Sequence, residues 1–521
     1  MASALDAQKM LADQFGNAAT SPGFEVFATS RQNLINSEKE AAWYAPAKLR
    51  ASRAERDAQQ IIFRIREAER IDTELFGNLP SEAIPNANTR DMGGRFLANK
   101  PRIERSKIFE IARRMPKGAH LHIHFNSELP PDVLLPLARS PHVEHTLCVR
   151  TTQPLRTRQD FLDAEVALNV FPKDAPKAQA DCFSAEYSPT VKPVNNSSGN
   201  YMLWKDFREK FPVDVDYEPV EGLSPAECWV REKMVVMLDK AYSATQTHNG
   251  AWACFNIGTR AFKGLLNYES AYRWYIGQAT DSMIQDGVMY AELRPMLMDK
   301  SIPSDDGLRK LDHVAQMTIV CEEVQKKRRQ LENEGRADKF PFGLKMIYCT
   351  PRSIAKDDPQ GTGRPHMQRE LDDCLKLKLQ FPDLICGFDL VGAEDRPNNI
   401  GYYADLLVAF AETCKKLNVR IPFMFHAGES LLDTGGSINP DKSNLYDALL
   451  LNSTRIGHGY ALLKHPPLVE KYKENNICLE LCPVSNELLH LCGNIREHPF
   501  PALLATGLHC TLNADNPGLY R

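Results

Sequence analysis

Eight short segments of strand-like composition recur after Gly118, and helix-length stretches separate them. They are residues 119–125, 288–294, 344–349, 385–391, 421–425, 454–457, 477–481 and 510–514. Strands that alternate with helices, such as those predicted at 270–286, 312–334 and 367–381, indicate parallel βαβ units. Eight such units can close into a (β/α)₈ barrel of the TIM type. A doubly wound open sheet fits the alternation nearly as well, so the pattern predicts an α/β fold without deciding its closure.

Residues 1–110 lack this alternation and are predicted to form a helical extension. Apolar residues there recur at three- and four-residue spacing, which is typical of one stripe along a helix: Ile61, Ile62, Ile65, Ala68, Ile71 and Leu75. The stripe fits a packed surface helix and an oligomer contact equally well. Residues 111–521 are then the barrel domain, with a long insert at about 126–200 that we expect to be functional or a small subdomain. Because the sequence ends at Arg521, the last barrel helix is expected to be missing.

Composition argues against several classes of protein. Hydrophobic residues make up 43% and charged residues 25%, as in globular proteins. No run approaches the roughly 18 apolar residues of a membrane span. The net charge is −4 and no long basic run is present, which disfavours nucleic-acid binding. The N-terminus has no basic region followed by an apolar one, so a cytoplasmic location is expected, and the odd number of 13 cysteines excludes complete disulfide pairing.

Chemically capable side chains fall at the carboxyl ends of the predicted strands. The first strand carries His120-Leu-His122-Ile-His124, and side chains alternate along a strand, so all three imidazoles share one face. Two of them can meet one metal ion, and His120 is assigned to a supporting role. The fifth strand runs into His426-Ala-Gly-Glu429, which can place a ligand beside an acid–base carboxyl group. Taken alone, these motifs also fit satisfied histidines and a polar strand cap.

The sixth and eighth strands end in polar residues as well. In Gly457-His458-Gly459 the two glycines remove the walls that a packed side chain would use, which favours a functional histidine. Asp515 could supply an anionic oxygen ligand, although Asp-Asn-Pro-Gly is also an ordinary turn sequence. In a (β/α)₈ barrel all these strand ends converge on the rim that carries the active site. A donor set suited to one Zn²⁺ per chain would meet there: His122, His124, His426 and Asp515.

These motifs resemble the adenosine deaminase superfamily of metal-dependent (β/α)₈ hydrolases. The matching segments run in the family's order from about residue 110 to the end: Met115-Pro-Lys, Leu121-His122-Ile-His124, His426-Ala-Gly-Glu429, Gly457-His458-Gly459 and Asn513-Ala-Asp515. The extension, the insert, Gly387-Phe-Asp-Leu-Val-Gly392 and Cys482-Pro-Val-Ser-Asn486 resemble the adenosine deaminase-related growth factor branch, to which type 2 adenosine deaminase belongs. In that branch the extension forms a dimer, so the resemblance implies a homodimer through residues 1–110.

Position by position, the resemblance also implies roles for individual residues. The implied zinc ligands are His122, His124, His426 and Asp515. Glu429 would protonate the purine N1, and His458 would orient the attacking water and take part in its deprotonation. Gly392 would contact the purine edge, and Trp204 is a candidate for the sugar pocket. The implied reaction is zinc-dependent hydrolytic deamination of adenosine or 2′-deoxyadenosine to inosine or 2′-deoxyinosine plus ammonia.

Two positions depart from the family pattern. Asn516 stands where relatives have an Asp that contacts the purine N7, and Asn126 lies where relatives commonly have an Asp nearby for the sugar. One alternative is therefore another aminopurine or AMP deaminase, which would need a cationic phosphate pocket. A second is a secreted, growth-factor-like binding protein with weak or lost catalysis. The cytidine-deaminase signature H-x-E with P-C-x-x-C is absent from the sequence.

Overall fold

The computed structural model describes residues 3–81, 84–178, 180–193, 198–354, 366–394, 398–431 and 440–520. Its N-terminal region is helical. The helices are α1 (Ala4–Gly16), α2 (Pro22–Ala41), α3 (Ala45–Arg50), α4 (Arg53–Ile71), α5 (Phe96–Ile103) and α6 (Lys107–Arg114). A serine side chain accepts a backbone N–H at the start of α1, α2, α4 and α6, which satisfies one of the donors that a helix leaves open there.

The region that follows the first barrel strand contains a small sheet of its own. Starting from the first barrel strand, the elements in chain order are β1 (Gly118–His124), α7 (Pro131–Leu137), β2 (Leu147–Thr151), α8 (Arg158–Asp163), β3 (Val166–Val170), β4 (Met202–Leu203), α9 (Trp204–Lys210), α10 (Pro225–Met234), α11 (Leu238–Ala241) and α12 (His248–Leu266). Strand β2 pairs in antiparallel fashion with β3 and β4. Cys148 and Cys182 are both buried free thiols within this region.

Strands and helices alternate through the remainder of the chain. They are α13 (Glu269–Gln285), β5 (Val288–Arg294), β6 (Ser301–Pro303), β7 (Lys310–Asp312), α14 (His313–Asn333), β8 (Gly343–Pro351), α15 (His366–Gln380), β9 (Ile385–Val391), α16 (Ala404–Lys416), β10 (His426–Ala427), α17 (Asn444–Leu450), β11 (Arg455–His458), α18 (Pro466–Glu474), β12 (Cys478–Leu481), α19 (Pro483–Leu488), α20 (Phe500–Ala505) and β13 (Cys510–Leu512). Along the described residues after β13, through Tyr520, the chain forms no helix.

Two parallel four-stranded sheets are joined on both sides into one ring. Their strand orders are β1-β5-β8-β9 and β10-β11-β12-β13. Phe388 of β9 forms a parallel bridge with Phe423, just before β10, and Ile123 of β1 forms one with Asp515, just after β13. The Asp515 N–H donates to the His122 carbonyl, with 3.2 Å between the two atoms. These bridges connect the outer strands of the two sheets, so the α/β chain forms a (β/α)₈ barrel and not an open sheet.

The eight predicted strands are confirmed, with one shift at the fifth. The sequence predicts a strand at 421–425, whereas the regular ladder to β11 begins at His426. Pro422 has no N–H to donate to a ladder, and its carbonyl instead accepts the N–H of Phe388 over 3.0 Å. Residues before His426 therefore bridge to β9 through Phe423, and the ladder with β11 starts at His426.

Helices α1 to α4 bury no apolar side chain. Glu69 is the one buried residue that they contain. The apolar stripe predicted along α4 is therefore largely exposed to solvent, since Ile61, Ile62 and Ile71 are all exposed. None of the helices in the described ranges is long and apolar enough to cross a membrane.

Candidate active site

Four donor side chains from β1, β10 and the turn after β13 meet at the mouth of the barrel. The Nε2 atom of His124 lies 3.2 Å from His426 Nε2 and 3.2 Å from Asp515 Oδ1. His122 Nε2 lies 3.6 Å from the same Asp515 oxygen. His122, His426 and Asp515 are almost completely buried, and His124 is partly open to the cavity above. The closed barrel therefore brings together all four residues that the sequence predicted as ligands.

Buried carboxylates orient two of these histidines. His122 Nδ1 lies 2.9 Å from Glu480 Oε2, and His426 Nδ1 lies 2.8 Å from Asp389 Oδ2. An ionised carboxylate can only accept a hydrogen bond, so each Nδ1 carries the proton and each Nε2 keeps its lone pair. Such carboxylate–histidine pairs are the usual support of metal-binding imidazoles. Burial alone would raise the pKa of Asp389, but the hydrogen bonds from His426 and the nearby Arg294 guanidinium lower it to about 2.

The donor set fits a divalent metal ion. His122 Nε2 is buried and has no hydrogen-bond partner, which is costly unless another group meets it. Burial lowers the pKa of His122 and of His124, so both imidazoles are neutral and can bind a cation. Donors about 2.0–2.1 Å from a tetrahedral ion lie about 3.3 Å apart, close to the 3.2 and 3.6 Å measured between these ligand atoms.

A buried charge network supports this cluster from below, and motif analysis did not identify it. Arg294 donates to Asp389 Oδ2 over 3.0 Å, to Glu480 Oε2 over 2.7 Å and to the Leu121 carbonyl over 2.7 Å. All three charged side chains are completely buried. Arg455 Nε adds a second cation 2.9 Å from Glu480 Oε1. The signal in the sequence was a charged residue interrupting an apolar strand, as in the segments Phe-Asp-Leu and Leu-Glu-Leu.

Glu429 and His458, the two predicted catalytic residues, face each other beside the donor cluster. Glu429 Oε1 lies 3.4 Å from His458 Nε2. The Glu394 carboxylate accepts the N–H groups of Gly428 and Glu429 over 2.8 and 2.7 Å, which holds the turn that carries Glu429. His458 and Asp515 have positive φ angles of 63° and 61°. Such backbone conformations cost free energy for residues other than glycine, and they often cluster at functional sites.

A cavity of about 730 Å³, which includes space open to solvent, lies above the cluster. Gly392 lines it with a φ of 100° and with open space where a Cβ would stand. Asn516 also lines it, donating to Asp515 Oδ1 over 2.7 Å and accepting from Ser127 Oγ over 2.5 Å. The other described lining residues include Asn126, Trp252, Phe255, Asn256, Thr259 and Phe262.

Trp204, the predicted sugar-pocket residue, is not among the described residues that line this cavity. It is buried at the start of α9, where its ring stacks on Phe207 at a centroid distance of 5.6 Å. Trp252 of α12 is the tryptophan that reaches the cavity wall. The expectation for Trp204 is corrected for a physical reason: its ring packs in the main hydrophobic core of the protein and not on the cavity.

Comparison with known proteins adds to this geometry. A family model described as adenosine deaminase matches residues 238–521. The chain is 29% identical over 429 residues to adenosine deaminase 2 of Sus scrofa, and 28% identical over 427 residues to that of Homo sapiens, covering 82% of this chain and 71% of each relative. Among solved structures, an adenine deaminase from Arthrobacter aurescens aligns with a TM-score of 0.45 and 16% identity, covering 78% of this chain and 84% of that one.

Proposed function

The chain belongs to the adenosine deaminase family, and on that premise we propose that it is a zinc-dependent aminohydrolase converting adenosine or 2′-deoxyadenosine into inosine or 2′-deoxyinosine and ammonia. The family assigns it to the hydrolytic deaminases. The observation that carries the proposal is the donor cluster itself, with spacings of 3.2 and 3.6 Å at the floor of a cavity that also holds Glu429.

We propose that His122, His124, His426 and Asp515 hold the zinc ion. Three imidazoles and one carboxylate form a donor set that would suit this ion. When bound, Zn²⁺ supplies the Lewis acidity that lowers the pKa of a water molecule from about 15.7 to about 7.

Hydrolytic deamination also requires a proton at the purine ring, and Glu429 is the proposed donor. Protonation of N1 makes C6 electrophilic, so that the oxygen of water can bond to it. The C6–N6 bond then breaks, and N6 leaves as ammonia with one proton from the attacking water. The other water proton restores the acid form of Glu429, and a C6 carbonyl remains. Gly392 leaves room for the edge of the ring, and the aromatic side chains of α12 restrict bulk water at the reacting carbon.

The lining of the cavity favours a nucleoside over a nucleotide. Among the described lining residues, Arg294 is the one Lys or Arg, and its guanidinium already binds Asp389 and Glu480. Asn126, Asn256 and Thr259 offer neutral groups that could bind sugar hydroxyls. AMP would bring about two negative charges to this surface, so we expect its kcat/KM to be at least about 10²-fold below that of adenosine.

The decisive test is conversion of adenosine to inosine by zinc-replete protein, followed by ultraviolet absorbance. Glu429→Gln should lower kcat by about 10³-fold while zinc content stays unchanged, because the proton donor alone is removed. His426→Ala should lose both zinc and activity. The matched control is Glu470→Gln, which alters an exposed carboxylate paired with Lys473 and should retain full activity. Zinc-replete protein that is inert towards adenosine, 2′-deoxyadenosine and AMP would refute the proposal and favour a non-catalytic binding protein.

We further propose that residues 1–110 form the interface of a homodimer. Helices α1 to α4 and the turn between α2 and α3 expose many large apolar side chains, a pattern that marks interaction sites: Leu5, Met10, Leu11, Phe15, Phe24, Phe27, Leu34, Trp43, Ile61 and Phe63. Phe27 and Leu34 lie seven positions apart on α2 and so share one face. Sedimentation velocity should show a dimer for the wild type and a monomer for Phe27→Glu/Leu34→Glu. Val213→Glu, at an exposed position between α9 and α10, is the control, and a monomeric wild type at micromolar concentration would contradict the proposal.

We propose a reducing compartment, such as the cytoplasm, as the location of the protein. All 13 cysteine side chains are free thiols. In oxidising compartments, by contrast, cysteines commonly pair. Secretion is the alternative suggested by the growth-factor branch, and a thiol titration of protein isolated from its source would distinguish them. Fewer than 13 reactive thiols after denaturation would support secretion.

A further inference from the structure

A chain of three buried side chains leads from the start of α20 to His458. The Phe500 N–H, one of the donors that a helix start leaves without a partner in the helix, donates to His498 Nδ1 over 3.0 Å. His498 Nε2 lies 3.0 Å from Asn486 Oδ1, and Asn486 Nδ2 lies 3.1 Å from His458 Nδ1. Each of the three side chains is at most 3% exposed, so bulk water cannot supply competing partners.

The direction of every hydrogen bond in this chain follows from its first member. A backbone N–H can only donate, so His498 Nδ1 must accept and its proton must lie on Nε2. Asn486 Oδ1 accepts that proton, which leaves the Asn486 NH₂ group facing His458. His458 Nδ1 therefore accepts, and a neutral His458 carries its proton on Nε2. If the Asn486 amide were flipped, its NH₂ group would face the protonated Nε2 of His498, and two donors would oppose each other. His498 cannot move that proton to Nδ1, because Nδ1 accepts the Phe500 N–H.

His458 thus carries its proton on the other ring nitrogen than His122 and His426 do. His122 and His426 present Nδ1 to carboxylates, and so their Nε2 atoms are free to bind a metal ion. His458 presents Nδ1 to an amide NH₂ group, and so its Nε2 carries a hydrogen. Desolvation lowers the pKa of His498 to about 4, so His498 is neutral near pH 7 and the directions of these hydrogen bonds are kept.

We propose that His498 and Asn486 are positioning residues that fix His458 as an Nε2–H hydrogen-bond donor facing the active site. His458 is thereby excluded as a metal ligand in its resting form, although its ring lies 5.0 Å from that of His122. Its role in deamination, which rests on the proposed function, is to donate to the oxygen that attacks C6 and to stabilise negative charge developing there. It does not begin the reaction as a proton acceptor, because Nε2 is already protonated and Nδ1 is occupied.

The tautomer can be read directly by nitrogen NMR. Protein with ¹⁵N-labelled histidine is measured with and without zinc, and the His458 signals are assigned by their loss in His458→Gln. We expect a protonated Nε2 and an unprotonated Nδ1 in the wild type. Asn486→Asp replaces the amide by a carboxylate of the same shape that must accept, so it should move the proton to Nδ1. A wild type with its proton on Nδ1, or an Asn486→Asp protein with an unchanged tautomer, would overturn the proposal. This readout needs no turnover, so an inactive wild type would refute the proposed function alone.

Kinetics provide the second readout. In a serine protease the wrong tautomer of the active-site histidine costs about 10⁴-fold in kcat, and we expect a loss of about 10³-fold for Asn486→Asp with KM little changed. His498→Phe should lose about 10- to 100-fold, as is usual when the support of an active-site side chain is removed. His498→Gln can still donate to Asn486 and should retain most of the activity. Folding and zinc content are checked for each variant. Equal losses of kcat in His498→Phe and His498→Gln would contradict the proposed role of the hydrogen bond from His498 to Asn486.

Discussion

The barrel and the N-terminal helices expose their side chains in opposite ways. Inside the barrel even Arg294, Asp389 and Glu480 are buried, and each finds its partner within the same chain. Along α1 to α4, by contrast, large apolar side chains such as Phe27 and Leu34 are about 60% exposed. Exposed apolar faces of this kind mark interaction sites. The difference between the two regions is the basis of the proposed association through the extension.

The largest effect on stability is expected from Arg294→Met. Removing the guanidinium leaves the Asp389 and Glu480 carboxylates buried without their cation, which should lower the free energy of unfolding by about 3–5 kcal/mol. Urea unfolding measures this loss. Arg66→Met removes a cation of the extension that is 54% exposed and pairs with Glu67, so it should cost about 0–1 kcal/mol. Similar losses in both variants would erase the contrast between the two regions.

A matched pair of leucine substitutions tests the same contrast with apolar groups. Leu479→Ala creates a cavity at a completely buried position of β12 and should cost about 2–5 kcal/mol. Leu34→Ala trims a side chain that is 64% exposed, so its cost in dilute, monomeric protein should stay within about 0.5 kcal/mol. Chemical unfolding at several protein concentrations gives both values. A large cost for Leu34→Ala that persists on dilution would mean that α2 packs on its own barrel.

Acid should weaken the barrel through His498. All 14 histidines lie from His120 onward, so the extension has none. Burial lowers the pKa of His498 from 6.5 to about 4, so the unfolded chain takes up a proton at a higher pH than the folded protein does. This contribution is fully present above pH 6.5 and is lost progressively as the pH falls from 6.5 through 4, by about 3 kcal/mol, because each unit of pKa shift corresponds to about 1.4 kcal/mol. The free energy of unfolding should fall less steeply with acid in His498→Gln, and identical slopes for variant and wild type would refute this assignment.

The smallest effect is expected in tryptophan fluorescence. Trp43 of the extension is 51% exposed, whereas Trp204, Trp229 and Trp252 are at most 5% exposed. Iodide should therefore quench a component of the emission that disappears in Trp43→Phe. Raising the protein concentration should protect this component, because association would cover the ring. Quenching that does not change with concentration would place Trp43 outside any interface.

The sequence predicted most of the barrel because its evidence is local. Eight apolar segments at helix-separated intervals define the strands, and the residues that end them carry the chemistry, as at His124, His426 and Asp515. The exception at the fifth strand has a local cause in Pro422. Trp204 shows the limit of such reasoning, since a tryptophan beside the insert could line a pocket or fill a core, and composition alone does not distinguish them.

The residues that sequence reasoning missed act through partners far away in the chain. Arg294 meets Glu480 across 186 positions, and His122 meets the same carboxylate across 358. Each could be noticed as a charge inside an apolar strand, but its partner could not be named before the strands were placed in a ring. Glu394, which accepts the N–H groups of Gly428 and Glu429, lies three residues beyond the predicted strand at 385–391 and was assigned no role from the sequence.

The sequence by itself determined where the strands lie and which chemical groups end them, because side-chain alternation and apolar burial act between near neighbours. Only the tertiary structure decided that the sheet closes, since that depends on Phe388 meeting Phe423 and Ile123 meeting Asp515. It also decided which histidines offer a lone pair and which offers a proton. That polarity depends on whether a carboxylate or an amide faces the other ring nitrogen, and this is a property of packing that no residue carries alone.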